Sequence, residues 1–334
     1  MYWWQPLLLF TWLGLIFVFG TVVGSFLNVC ICRLPYEKSL LWPLSSHCGK
    51  CLRRIDWQDN LPLVSYLWLR GRCRHCRAPF SMRYFWVELL TGLGFVGLFY
   101  VEVVLNVHNL PALRPRWGAS ILQTGMIPVE GWALFLYHAA LLSFLIVASA
   151  IDLEHFEIPM PIPVTGLIVG LVGGALLWPL MPAQASAIPL RTSPAVISGP
   201  TSLDWLDKRV TVQGGLYPWP VWDSLPDWLP ADSPLTGLVT GLAGMLAGTF
   251  VLRAVRSVFG IGRGIEGMGL GDADLMMMAG AFLGWQPTVA AFFVSVAPAL
   301  LFGLFQIVFR RTQELPFGPS LAVGCVTTLL CWKW

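Results

Sequence analysis

The sequence predicts an all-α polytopic membrane protein with about eight transmembrane helices and one small polar domain between the first two. Three observations carry that prediction. Of 334 residues, 56% are hydrophobic and only 12% charged, about half the charge of a soluble domain. The apolar residues fall into runs near the ~20 residues that one helical span needs. The basic residues cluster in a few of the connections between those runs. Seventeen Trp and twenty Phe suit a surface that meets lipid and headgroups. An ordinary cytosolic enzyme and a disordered chain are both excluded.

The spans follow in order. No charge occurs between Tyr2 and Cys32, and a basic stretch begins at Arg33. A cleavable signal peptide carries its positive charge before the apolar core. The reversed polarity here predicts an uncleaved first helix, roughly 7–30, with its N-terminus outside. Residues 84–106 form a second span that contains Glu88 and Glu102. Gly131–Ile151 is uncharged and stops at Asp152, and an apolar stretch from Ile158 reaches about Leu180. Ser233–Leu252 is a fifth. Leu275–Phe309 is too long for one span, and Gly284-Trp285-Gln286-Pro287 marks a turn within it. This leaves a short sixth span at about 273–285. Leu315–Trp332 closes the chain.

Threading these spans places residues 33–83, 253–271 and 310–316 inside and 107–130 and 181–232 outside. The inside loops then hold 15 Lys/Arg and the outside segments six, counting Lys333 after the last span, as the positive-inside rule requires. The expected divisions are a first helix at 1–32, a cytoplasmic domain at 33–83 and a membrane core at 84–334. The core carries an extracytoplasmic insertion at about 181–232. That insertion is rich in Pro and Ser, and its Trp205, Trp219, Trp222 and Trp228 suit a membrane interface.

Inside the polar domain, Cys48-Gly-Lys-Cys51 and Cys73-Arg-His-Cys76 form two C-x2-C pairs with 21 residues between them. Each pair spans one edge of a tetrahedron, and the intervening loop joins the edges, which is the spacing of a structural zinc site. The domain therefore reads as zinc-ribbon-like, with Cys48, Cys51, Cys73 and Cys76 as ligands. Four thiolates leave no open position for catalysis, and bound metal would supply folding energy that some fifty residues lack. Disulfides are the alternative, disfavoured in a reducing cytoplasm. His47 and His75 read as neighbours of the ligands. Cys30, Cys32, Cys325 and Cys331 read as small packing residues.

Ionisable residues at a membrane border default to functional hypotheses. Asp152 ends the third span and Asp272 opens the sixth, both on the predicted cytoplasmic side. Two carboxylates that meet there cannot both ionise cheaply, so they would share a proton. The ionised member then takes a proton from water and the protonated one polarises a peptide carbonyl. The glycines around Asp272 would let a substrate backbone approach. Two rival readings stay open at this level. Asp272-Ala-Asp274 suits Mg2+ in a membrane transferase acting on phosphorylated lipids, and a non-enzymatic zinc-anchored assembly factor needs no dyad.

Nearly the whole chain, in order, resembles the type IV prepilin peptidases. Gly24-Ser-Phe-Leu-Asn28 through Arg33-Leu-Pro35, the cysteine quartet with Asp59-Asn60-Leu-Pro62, and Leu69-Arg70-Gly71-Arg72 are similar to the family's first span and zinc loop. So are Ser81-x-Arg83-Tyr84 and Val87-Glu88-Leu89. Ile151-Asp152-Leu-Glu154-His155 with Ile158-Pro159 resembles its first aspartate box, Gly267-Met-Gly269-Leu-Gly271-Asp272 its second, and Leu315-Pro316-Phe317-Gly318-Pro319 its last-span entry.

The resemblance implies a membrane aspartyl endopeptidase of the bacterial inner membrane with Asp152 and Asp272 as its catalytic pair. It would remove a basic leader from prepilins or pseudopilins at the cytoplasmic face. N-methylation of the new N-terminus with S-adenosylmethionine would follow. Substrate pilins and membrane lipids are the implied partners, with no nucleic acid. No glycine-rich fingerprint locates the methyl donor, and its binding residues stay unassigned. Glu154, Glu157 and Glu266 would favour a basic leader. Three features depart from the family pattern: Met160 after Pro159, Asp274 two residues beyond Asp272, and the 181–232 insertion. Asp274 is expected to face solvent or make a polar contact.

Overall fold

The computed structural model describes residues 4–40, 46–108, 113, 125–177, 229, 233–263, 269–306, 308 and 316–331. The 181–232 insertion, with its tryptophans, falls outside the described residues apart from Leu229, and so do Glu266, Gly267 and Leu315.

Among the described residues, a helix falls on each of the eight expected spans. These helices are α1 (Trp4–Arg33), α3 (Arg83–Phe99), α4 (Val129–His155), α5 (Pro161–Leu177), α6 (Pro234–Arg263), α7 (Leu270–Leu283), α8 (Trp285–Phe305) and α9 (Gly318–Cys331), with a short α2 (Val64–Trp68) in the polar domain. A π-helical turn, Tyr100–Val104, extends α3. Five of these are long and apolar enough to cross a membrane, and α5 and α9 are shorter apolar helices. Side chains such as Phe250 and Leu301, 73% and 70% exposed, point outward, as lipid-facing residues do. The expected turn at Gly284 is present: α7 stops at Leu283, Gly284 takes φ 81°, and α8 starts at Trp285.

Two sub-bundles meet along α4. Helices α1 and α3 pack closely together and both touch α4, while α5, α6 and α7 form a second group that α8 and α9 flank. An aromatic cluster seals the first seam, where Phe135 of α4 lies edge-on to Phe95 and Phe99 of α3.

Small residues set the distances. Lipid tails are as apolar as side chains, so helices in a membrane gain little from hydrophobic burial and depend on close packing. Gly20 and Gly24 of α1 are spaced for that purpose. A Cβ on either would lie 2.9 Å from Gly92 Cα or 2.8 Å from Glu88 Cα. On α6 the effect is stronger, since a Cβ at Gly244 would meet the Gly280 carbonyl at 2.0 Å and one at Gly248 the Met276 carbonyl at 2.2 Å. This seam admits α7 to the middle of the bundle, where Leu275, Met276, Met278 and Ala279 are fully buried.

The seam gives a direct test. Gly244→Leu should force α6 and α7 apart and destabilise by at least the 1–3 kcal/mol typical of overpacking. Thermal unfolding in detergent should show a clear fall in Tm. An unchanged Tm would mean that the helices do not meet at Gly244.

Candidate functional site

The site is built where the first sub-bundle, the second and the polar domain share one end. Helix α4 ends in the turn Phe156-Glu157-Ile158-Pro159. Phe156 adopts the left-handed conformation (φ 56°) and its N–H donates to Asp152 O. The chain reverses into α5 at Pro161, a favoured first helical residue. Asp152 lies in the last turn of α4, 6% exposed.

Asp272 occupies the first turn of α7, 8% exposed. Its carboxylate lies close to Gly269 at the N-cap, with Oδ2 3.6 Å from where a Cβ on that glycine would stand. This sets a negative group at the favourable end of a helix. The glycine ahead of it fits tightly, because a Cβ on Gly271 would come 3.1 Å from that of Ile158. The close approach of Gly271 to Ile158 draws the two aspartate-bearing turns together. Asp152 and Asp272 lie within electrostatic reach of each other.

A third element completes the arrangement. The Gly318 N–H, at the start of α9, donates to Asp152 Oδ2 at 2.9 Å. A Cβ at Gly318 would sit 2.7 Å from the same oxygen, so only glycine lets the amide come this close. The sequence motif around Gly318 was visible, but its task was not, since 166 residues separate it from Asp152.

Asp274, about 200° round α7 from Asp272, has Oδ1 3.9 Å from Arg253 Nη2. It makes the expected polar contact. Glu154 is ion-paired with Arg83, so it offers a basic peptide less free charge than the sequence suggested. Glu157 is exposed.

The polar domain docks on this end. Arg83, first residue of α3, reaches Glu154 of α4 and also lies 2.9 Å from Cys32 Sγ of α1. Asn28 Nδ2 donates to Tyr84 O at 3.0 Å, and the Tyr84 hydroxyl contacts Cys32 Sγ at 3.1 Å. Cys32 is thus a polar junction rather than plain packing, whereas Cys30 and Cys325 are buried as expected and Cys331 is exposed. Glu88 Oε2 accepts the Leu63 N–H at 2.8 Å, fixing a loop residue held at positive φ.

The four predicted cysteines converge. Their Sγ atoms all lie within 4.8 Å of one another, and Cys48 and Cys76 are 3.7 Å apart. Thiolates at the tetrahedral corners of a zinc ion, with Zn–S near 2.3 Å, stand about 3.8 Å apart, so the quartet fits a metal ion. A disulfide would need about 2.05 Å, and all four thiols are free. Each C-x2-C forms the same knuckle. Cys48 N–H donates to Arg53 O and Leu52 N–H to Cys48 O; Cys73 N–H donates to Ala78 O and Arg77 N–H to Cys73 O. Backbone N–H groups of Cys51 and Lys50 pull the Cys48 thiol down to about 6, which favours the thiolate that a metal needs. Asp59 accepts a forked pair of hydrogen bonds from Arg74, which hold its carboxyl below the ordinary value and tie the second knuckle to the preceding loop.

Between the domain and α1 lies a cavity of about 440 Å3, bordered among others by Asn28, Tyr66, Phe80, Tyr84 and Glu88.

The comparisons with known proteins follow this geometry. Residues 18–102 match the Bacterial Peptidase A24 N-terminal domain, and residues 227–304 match the Type IV leader peptidase family. Through these two stretches the chain resembles the type IV leader peptidase family. It is 29% identical to the prepilin leader peptidase/N-methyltransferase of Aeromonas hydrophila over 344 residues, covering 95% of this chain and 90% of that one. It is 29% identical over 328 residues to the type 4 prepilin-like proteins leader peptide-processing enzyme of Escherichia coli O78:H11, covering 93% and 90%. With the prepilin leader peptidase/N-methyltransferase of Myxococcus xanthus it shares 39% identity over 166 residues, 49% of this chain and 40% of the relative. No solved structure matches the chain. Asp272 and the cysteine quartet lie within the two matched stretches, and Asp152 lies between them.

Replacing Cys48 and Cys76 together with Ser should remove the metal from the quartet and loosen residues 46–82. Metal analysis of the purified protein should show a loss of about one ion per chain, and proteolysis should cut the loop faster. Equal metal content in both proteins would reject the quartet as a site.

Proposed function

We propose that the protein is an aspartyl leader peptidase of the bacterial inner membrane. It cleaves the basic leader of prepilins or pseudopilins and then methylates the new N-terminus. One observation carries the peptidase reading: two buried carboxylates are borne on adjoining turns of separate helices at one end of the bundle, and the Gly318 amide holds one of them. The resemblance to the leader peptidases supports the same reading, and the Mg2+ transferase reading has no such support. In particular Asp274, which that alternative needs, is turned toward Arg253.

The mechanism follows from the pair. One proton is shared between Asp152 and Asp272, because two adjacent carboxylates do not both ionise cheaply. The ionised member removes a proton from a water molecule as it attacks the scissile carbonyl. The protonated member donates to the carbonyl oxygen, giving a neutral tetrahedral diol. Collapse of the diol breaks the C–N bond. The proton first taken from water passes to the leaving amine, and the other returns to the pair. Gly318 acts on Asp152 as a positioning residue, holding Oδ2 in place. The bare backbone at Gly269 leaves room for an extended substrate, since among the described residues nothing meets a Cβ there more closely than 3.6 Å.

In this reading residues 33–83 are the cytoplasmic domain, and zinc held by Cys48, Cys51, Cys73 and Cys76 is structural. Residues 84–334 form the peptidase core, with the zinc domain and both aspartates facing the cytoplasm, where a positive leader waits. S-adenosylmethionine supplies an electrophilic methyl group to the new amine. The cavity beside the zinc domain is in the 300–1,000 Å3 range of small-molecule sites. Its Glu88 and Asn28 offer polar anchors and Tyr66, Phe80 and Tyr84 offer rings for a heteroaromatic base.

Asp152→Asn and Asp272→Asn should each abolish cleavage of a prepilin-like substrate by detergent-solubilised protein, with insertion retained. Asp274→Asn should cleave normally, and EDTA should not stop the wild type. Cleavage at wild-type rate by either of the first two variants would reject the pair. Chelation that stops the reaction would restore the metal-dependent alternative.

Gly318→Ala should fold but lose about 10- to 100-fold in kcat, as expected when a catalytic carboxylate is displaced by a fraction of an ångström to an ångström. Single-turnover cleavage measures this directly. Full activity would mean that the amide contact does not position Asp152.

A further inference from the structure

At the opposite end of the same helices lies a cluster that the peptidase chemistry does not use. Glu102 sits on the π-helical turn after α3, His108 just beyond it, and His138 on α4. They are 0%, 5% and 1% exposed. Along α4, His138 precedes Asp152 by 14 residues, about 21 Å at 1.5 Å per residue. Along α3, Glu102 follows Arg83 by 19 residues, about 28 Å on the same rise. The cluster therefore contacts neither the aspartates nor the thiols.

Its geometry is convergent. His138 Nδ1 lies 2.5 Å and His108 Nε2 3.3 Å from one oxygen, Glu102 Oε1. The ligating atoms of all three residues lie within 4.8 Å of one another. Hydrogen bonding serves only part of the group, since Glu102 Oε2 and His138 Nε2 are buried without a hydrogen-bond partner among the described residues. A buried acceptor left unmatched is costly, and ionisable groups inside a membrane bundle are retained for function or for a bound partner. Glu102 is also carried on a π-helical turn, an irregularity found often at functional sites.

We propose that Glu102, His108 and His138 form a second metal site, for a divalent first-row transition ion such as Zn2+. Two imidazole nitrogens and one carboxylate suit such an ion, with solvent as the fourth ligand. The ion would draw on the carboxylate that hydrogen bonds leave half-used. It would pin the end of α3 to the middle of α4, joining the two helices far from the cysteine quartet. The donors differ from those of the quartet, so the two sites are separable by spectroscopy.

The test uses the full-length protein in detergent. The wild type should contain about two zinc ions per chain, one for each site. Glu102→Gln should lower this to about one while leader cleavage persists, since the cluster is remote from the aspartates. X-ray absorption at the zinc edge of the wild type should show a mixed shell of sulfur and nitrogen or oxygen. A variant with Cys48 and Cys51 changed to Ser should bind Co2+ with a visible spectrum free of thiolate charge-transfer bands. A pure four-sulfur shell in the wild type would overturn the proposal whether or not the variants fold. So would a zinc content unchanged by Glu102→Gln.

Discussion

The close approach of α6 and α7 is the constraint on which the site depends. Helix α7 is only 14 residues long and opens with two aspartates, so it cannot stand alone in lipid. It persists because Gly244 and Gly248 let its backbone come into contact with that of α6. Once α7 is enclosed, its first turn has one place to go, against the turn that ends α4. Gly271 then rests on Ile158, and Asp272 arrives beside Asp152. The placement of the carboxylates is thus a consequence of helix packing, and no loop flexibility is required to bring them together.

Backbone amides complete what packing begins. In a bundle with little water, a buried carboxylate needs fixed donors. The structure provides one from the backbone for Asp152, the Gly318 amide. That donor is a glycine at a helix start, where N–H groups have no partner within their own helix. The same economy recurs in the polar domain, where Glu88 holds the Leu63 amide and the knuckle amides gather around Cys48. Arg83 links the two regions, since it reaches both α4 and α1 from the base of α3. The cysteine quartet and the two aspartates accordingly lie toward the same end of the molecule.

Much of this was legible beforehand for identifiable reasons. Span count and order follow from the length of apolar runs, and the described helices fall on them because lipid permits few alternatives. The quartet was readable because C-x2-C pairs encode a tetrahedral edge locally. Asp152 and Asp272 stood out as charges at the ends of uncharged runs. The fate of Asp274 was open between solvent and a polar contact until Arg253 appeared beside it. Glu154 was expected to favour a basic leader, and its pairing with Arg83 could not be seen across 71 residues.

The sequence by itself determined the membrane class, the thiolate quartet and the two aspartates, because each is written in local composition or spacing. Only the tertiary structure decided that Gly318 holds Asp152, that Cys32 is a polar junction, and that Glu102, His108 and His138 converge. Those relations join residues far apart in the chain or hidden in ordinary apolar runs. Their physical cause is the helix seams, whose glycines fix which faces meet.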